Sequence, residues 1–165
     1  MPDSYPDGAA LVVGGSGGVG SAICEELARN GVNVVLTYNS NEDRAREVAE
    51  SIVAEGGSAE TAQLSLDDNA NIKAVVENIV KNHGRLHSVF IATGYDIPQL
   101  HIREVSSEQW SSVLRADAEG VFNLVHGTLP FLRSGGGGAY VHISSAGLLK
   151  FPEMDILSVA PKAAI

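Results

Sequence analysis

A run of glycines, Gly14-Gly15-Ser16-Gly17-Gly18-Val19-Gly20, separates an apolar stretch from a helical pattern near the start of the chain. The apolar stretch, Ala9-Ala10-Leu11-Val12-Val13, reads as a buried strand, and Ser21 to Asn30 carries helical periodicity. A strand that turns through glycines into a helix presents free N–H groups and a positive dipole end to an anion. One glycine of such a turn permits the tight bend, another admits a pyrophosphate to the backbone, and a third allows close helix–strand packing. Its place between strand and helix makes the run a candidate dinucleotide site.

The rest of the chain alternates strand and helix. Strands are expected at Ala9–Val13, Val32–Thr37, Ala59–Leu64, Ser88–Ala92 and Ala139–Ser144. Most are short apolar runs without polar alternation, the pattern of parallel strands covered on both faces. Helices are expected at Ser21–Asn30, Glu42–Glu55, Asp68–His83 and Ser107–Arg133. Gly31 and Gly56-Gly57 stand where helices end, Asn41 and Ser106 where they begin, and Ser106 with Gln109 spells a capping box. This order predicts a Rossmann-like α/β fold, a doubly wound parallel sheet with right-handed crossovers. Ligands in such sheets bind beyond the strand C-termini, where the strand order reverses. Gly135–Gly138 reads as a flexible connector into the fifth strand. Pro161–Ile165 reads as the opening of a further helix. Residues 1–165 are therefore expected to form a single dinucleotide-binding domain whose C-terminal half is incomplete after Lys162.

Composition excludes several other classes. A net charge of −9 leaves no basic stripe for nucleic acid or an anionic membrane surface. It does not oppose a buried phosphate site, where backbone amides suffice. The single cysteine, Cys24, excludes a disulfide framework or a thiolate zinc cage and reads as a core thiol of the first helix. His83, His87, His101, His126 and His142 show no metal-ligand spacing, so no metal is expected. With no signal-like start and no apolar run of membrane length, the chain reads as cytoplasmic.

From the glycine run to the last residue, the sequence resembles the short-chain dehydrogenase/reductase family. The family's Thr-Gly-x-x-x-Gly-x-Gly motif falls on Val13 to Gly20, with its glycines kept and Val13 in place of threonine. The resemblance implies that Gly14, Ser16, Gly17, Gly18, Val19 and Gly20 cradle a dinucleotide. It also implies that cofactor choice is made after the second strand, at Tyr38-Asn39-Ser40, which carries no acid. An acid there would accept from the ribose hydroxyls of NAD and repel a 2′-phosphate. NADP(H) is favoured on charge complementarity alone, with NAD(H) the alternative. No arginine or lysine stands in this turn or at Gly17; Arg44 is near enough in sequence to reach. Ser65, followed by Leu66, takes the position of an adenine-binding aspartate. Ile91-Ala92-Thr93-Gly94 stands where the family has Asn-Asn-Ala-Gly, so Ala92 and Gly94 should meet the cofactor ribose without the two asparagines.

The same resemblance implies hydride transfer between nicotinamide and a carbonyl or alcohol substrate. Ile143-Ser144-Ser145-Ala146-Gly147 resembles the family's serine motif, which makes Ser145 the substrate-positioning serine. Lys162 matches the lysine of Tyr-x-x-x-Lys, which also holds the nicotinamide ribose, but Ser158 stands in the tyrosine's place. Asp117 replaces the asparagine of the fourth helix that supports a water-linked proton path. Paired with Lys162, it would hold the lysine charged. A serine hydroxyl is a far weaker acid than a phenol, and lost acid–base catalysis costs about 10²–10⁴-fold. Tyr95, beside Asp96, is a candidate substitute, and Tyr95, Asp96, Ile97 and Leu149–Met154 give part of a substrate wall.

Two functions from different classes stay open at this level. One is a working NADPH-dependent carbonyl reductase; the other is a catalytically impaired relative that binds nucleotide or a sister subunit. A Gly-x-Ser-x-Gly match within Gly14–Gly18 formally resembles a hydrolase nucleophile elbow, but no Asp and His in suitable order accompany it. Trp110, Val113, Leu114, Val121, Phe122, Leu124 and Val125 give the fourth helix more apolar surface than one core stripe requires. In the family that helix packs against a subunit, so a homodimer or homotetramer is expected.

Overall fold

The structure, a computed structural model, describes residues 5–94, 97–150 and 152–165. Five strands, β1 (Ala9–Val13), β2 (Asn33–Tyr38), β3 (Ser58–Gln63), β4 (Leu86–Ile91) and β5 (Ala139–His142), form one parallel sheet. Their order is β3-β2-β1-β4-β5, so the order reverses between β1 and β4. The crossovers hold α1 (Gly18–Arg29), α2 (Glu42–Ala54), α3 (Asn69–His83), α4 (Ser107–Val113) and α5 (Gly120–Ser134). Two further helices follow β5, α6 (Gly147–Lys150) and α7 (Ile156–Ala164). The doubly wound Rossmann-like sheet expected from the pattern is the observed one.

Both faces of the sheet are covered. Leu11, Val89 and Ile91 pack against Ile72 and Val76 of α3 and Val121 and Leu124 of α5. On the other face Val12, Val34 and Leu36 meet Cys24 and Leu27 of α1 and Ala45 and Ile52 of α2. Burial pushes the Cys24 thiol up to about 12, so it stays protonated and serves as core packing. The caps lie where the sequence places them. Asn41 accepts from the Arg44 N–H at 3.1 Å, and Ser106 and Gln109 cap α4 reciprocally. Gly31 and Gly56 take positive φ just past α1 and α2, a conformation that Cβ-bearing residues resist.

Five expectations need correction. The helix expected over Ser107–Arg133 is interrupted: a π-helical segment, Leu114–Glu119, separates α4 from α5. A 3.6-residue periodicity cannot reveal the one-residue surplus of such a turn. The first helix starts at Gly18, inside the glycine run, and Asp68 caps α3 rather than opening it. The last helix starts at Ile156, not Pro161, because the Asp155 carbonyl accepts the first-turn N–H groups of Ser158 and Val159. Gly135–Gly138 is anchored rather than a loose connector. The Gly137 carbonyl accepts from Arg85 at 2.9 Å, and a Cβ on Gly138 would lie 2.4 Å from the His87 carbonyl oxygen. Among the described residues, no helix is long and apolar enough to cross a membrane.

Candidate functional site

Beyond the C-terminal ends of β1 to β4, at the point where strand order reverses, lies a cavity of about 870 Å³. Pockets of this size are typical of small-molecule and cofactor sites. The wall comprises the glycine loop, the turn after β2, the segment Leu64–Asp67 after β3, and Ala92–Gly94 after β4. Ser107, Glu108, Ser111, Ser112, Arg115 and Ala116 close it from the side of α4 and the π segment. Of the residues expected to meet a cofactor, Gly14, Ser16, Gly17, Tyr38, Asn39, Ser65, Leu66, Ala92 and Gly94 line this space. Gly18, Val19, Gly20, Ser40 and Lys162 do not.

The glycines divide their work by geometry. Gly14 has φ +77°, and a Cβ there would lie 2.9 Å from the Ala92 carbonyl oxygen. Gly20 has a Cβ position only 2.1 Å from the Gly14 oxygen, so α1 can approach the loop only through a glycine. Gly18 is different: a Cβ there would meet nothing within 4 Å. Helix α1 has no side-chain cap and no acid in its first turn, which leaves its N–H groups and dipole unopposed. The Gly14 N–H donates to Thr37 Oγ1 at 3.3 Å, so a neighbouring strand supplies a hydroxyl that Val13 lacks. Thr93, also in the wall, has a buried Oγ1 without a partner among the described residues. Such an atom favours a ligand that can satisfy it. The open space at Gly18, the bare helix end and the orphaned hydroxyl all fit a dinucleotide.

The polar wall contains groups that sequence reading passed over. The Ser65 hydroxyl donates to the Asp67 carboxylate, so it is not free. Asp67 and Glu108 place two carboxylates around the cavity, and Arg115 is the one cationic side chain among its described lining residues. The backbone amide of Glu108 and the Ser106 hydroxyl hold the Glu108 carboxyl below its ordinary range. Arg44 is not in the wall; it pairs with Glu47 at 3.1 Å on the exposed side of α2. Thr37, Thr93 and the α4 residues carry no motif of their own. Only the packing of α4 across the strand ends brings the latter to the cavity.

Beside this cavity, α7 packs on the π segment and unites two residues distant in sequence. Lys162 Nζ donates to both oxygens of Asp117, at 2.7 and 3.0 Å. Their side chains are 11% and 3% exposed, so the pair is nearly dry. The π segment, a feature frequent at functional sites, buries Asp117. Ser158 lies one turn before Lys162 on α7, and its hydroxyl makes no hydrogen bond among the described residues. Ser145 Oγ accepts from the Gly147 N–H at 3.0 Å, and Gly147 in turn abuts Val159 of α7. A second cavity of about 390 Å³ lies between α4 and α7 and shares Glu108, Ser112 and Ala116 with the first. Ile97 lines it, as does Leu157, the neighbour of Ser158, whereas Leu149 is 82% exposed. Tyr95 and Asp96, the other candidates of this region, lie outside the described residues, as does Phe151. Among the described residues, no group of His, Cys, Asp and Glu is arranged to hold a metal ion.

The family model of short chain dehydrogenases matches residues 8–165. The chain belongs to this family. Among the short-chain dehydrogenases it is 33% identical to cyclohexanol dehydrogenase of Acinetobacter sp. (strain SE19) over 150 residues, 90% of this chain and 59% of that one. It is 30% identical to 3-oxoacyl-(acyl-carrier-protein) reductase FabG of Staphylococcus aureus (strain Mu50) over 136 residues, 82% of this chain and 55% of that one. The chain thus spans little more than half the length of these curated relatives. A short-chain type dehydrogenase/reductase from Mycobacterium ulcerans superposes with a TM-score of 0.90 at 24% identity, covering 98% of this chain and 59% of that one, which shows the shared fold. The L-sorbose reductase of Gluconobacter frateurii, complexed with NADPH and L-sorbose, gives a TM-score of 0.87 at 25% identity, covering 99% and 62%.

Proposed function

We propose that residues 1–165 form a dinucleotide-binding domain of an oxidoreductase that transfers a hydride between NADP(H) and a carbonyl or alcohol substrate. The observation that carries this reading is the cavity at the strand switch point, lined by Gly14, Ser16 and Gly17 where the uncapped helix α1 begins. In that reading the loop from Gly14 to Gly20 holds the pyrophosphate. The turn Tyr38-Asn39-Ser40 holds the adenosine ribose and its 2′-phosphate with neutral donors. Ser65, Leu66, Ala92 and Gly94 bound the adenosine half. When bound, a nicotinamide supplies or accepts the hydride. Two similar solved oxidoreductases, a metagenomic short-chain oxidoreductase in complex with NADP and the sorbose reductase complexed with NADPH, support the choice of NADP(H). Titration of the chain with NADPH and NADH, read by nicotinamide fluorescence, is expected to saturate with NADPH the tighter ligand. Saturation with NADH the tighter would reverse the cofactor assignment, and no saturation with either would remove it.

In the same reading Ser145 orients the substrate oxygen, Lys162 holds the nicotinamide ribose, and the cavity shared by α4 and α7 admits the substrate. Ser158 stands in the proton-donating position with a hydroxyl too weakly acidic to serve it well. Asp117 occupies Lys162 with two hydrogen bonds, at 2.7 and 3.0 Å. These two departures support a second reading, an impaired family member that binds nucleotide in a structural or regulatory role. Ser158→Tyr separates the two: it is expected to raise NADPH-dependent carbonyl reduction roughly tenfold or more, measured with nucleotide affinity unchanged. An unchanged rate would count against Ser158 as the donor position. The exposed Phe122 and Trp110 of α5 and α4 support a homodimer or homotetramer, and a cytoplasmic location accompanies this assignment.

A further inference from the structure

The cavity at the strand switch point has an acidic wall for a site that would hold phosphates. Asp67 and Glu108 line it, and Arg115 of the π segment is the one cation among its described lining residues. Both carboxylates are held by neutral donors. Asp67 accepts from the Ser65 hydroxyl, and Glu108 from its own backbone amide and the Ser106 hydroxyl. The exposed guanidinium of Arg115 makes no ion pair or hydrogen bond among the described residues. Arg115 lines this cavity and not the second one, whereas Glu108, Ser112 and Ala116 line both. Two residues further on, Asp117 leaves the π segment in another direction to meet Lys162.

Contacts tie this part of the wall to the turn after β2. Just past the π segment, a Cβ on Gly120 would lie 3.0 Å from the Leu66 Cβ, and Asn123 Nδ2 donates to the Leu66 carbonyl at 3.0 Å. The segment that carries Leu66 is joined in turn to Tyr38 and Asn39. The Leu64 N–H donates to the Tyr38 carbonyl at 2.9 Å, and Gln63 Nε2 to the Asn39 carbonyl at 3.1 Å. In the nucleotide-binding reading, on which this inference rests, the pyrophosphate lies on the glycine loop and the 2′-phosphate beside Tyr38-Asn39-Ser40. That turn offers no cation, and Arg44 is paired with Glu47 outside the wall. We propose that Arg115 is a specificity-determining residue for NADP(H), supplying the positive charge for the 2′-phosphate that the turn after β2 lacks. A guanidinium stays charged at every working pH and can give two parallel N–H bonds to phosphate oxygens. Without it, the described wall would meet that phosphate with two carboxylates and no cation.

The test titrates the wild type, Arg115→Gln and Arg115→Lys with NADPH and NADH, read by nicotinamide fluorescence. Arg115→Gln is expected to weaken NADPH about tenfold or more, the size of one charge-assisted contact, and to leave NADH within about twofold. Arg115→Lys should keep part of the preference, because it retains the charge without the planar fork. In the wild type the advantage of NADPH should shrink as salt rises, since the guanidinium is exposed. Calorimetric titration with adenosine 2′,5′-bisphosphate and 5′-AMP should show the same difference, which assigns the effect to the 2′-phosphate. A preference for NADPH that survives in Arg115→Gln overturns the proposal and leaves the cofactor reading standing. Equal weakening of NADPH and NADH, or an advantage indifferent to salt, overturns it in the same way. Wild type that prefers NADH, or binds none of the four nucleotides, removes the NADP(H) reading and the proposal together.

Discussion

Asp117→Ala is expected to destabilise the chain by about 3–5 kcal/mol, the usual consequence of removing one partner of a buried ion pair. Lys162 would be left 11% exposed, with an ammonium whose only ionic partner among the described residues has gone. At roughly 2–4 °C per kcal/mol for a domain of this size, the melting temperature should drop by about 6–20 °C. The loss comes from the stranded charge rather than from the missing bond. The double variant Asp117→Leu with Lys162→Met should therefore recover most of it, because neither charge then remains to be desolvated. A double-mutant cycle by thermal or denaturant unfolding reads both effects. Equal and additive losses in the single variants and the double would show that the pair is not coupled. The pair also joins α7 to the π segment, so its loss should loosen the helix that carries Ser158.

Gly20→Ala is expected to damage both the fold and nucleotide binding. Its Cβ would sit 2.1 Å from the Gly14 oxygen and 2.9 Å from the Gly15 Cα, and backbone atoms cannot swing aside as a side chain can. Overpacking of this kind costs about 1–3 kcal/mol or more, here concentrated where α1 meets the loop. Gly18→Ala is the informative partner. Its Cβ meets no protein atom within 4 Å, so stability should change by less than about 0.5 kcal/mol. Nucleotide affinity should nonetheless fall if, as proposed, the pyrophosphate lies against the open side of the loop, where the methyl group would stand. Unfolding curves and NADPH titrations of the two variants together separate packing from ligand contact. An intact affinity in Gly18→Ala would remove that residue from the phosphate cradle.

The glycine loop was legible because each of its tasks is local. A strand, a turn with positive φ at Gly14 and a helix start are properties of adjacent residues, and they leave a mark in adjacent letters. The caps at Asn41 and Ser106 were legible for the same reason, since a side chain there bonds an N–H only three residues away. The interruption of the fourth helix was not. Trp110 to Arg133 keeps a good helical pattern, and an inserted residue in one turn changes no apolar spacing that a reader could detect.

Alternation of apolar runs and helices, Gly31 and Gly56 at helix ends, and the spacing of the loop glycines determined the doubly wound sheet and the edge where its cavity lies. Short-range sterics and hydrogen bonds govern those features. The sequence raised the pairing of Asp117 with Lys162; tertiary structure decided that the pair is nearly dry, that Arg44 turns away while Arg115 reaches the cavity, and that His142 Nε2 is buried without a hydrogen-bond partner among the described residues. Each of those depends on which helix crosses which strand end. The charge and water content at that crossing are set by residues tens of positions apart, whose meeting no local pattern records.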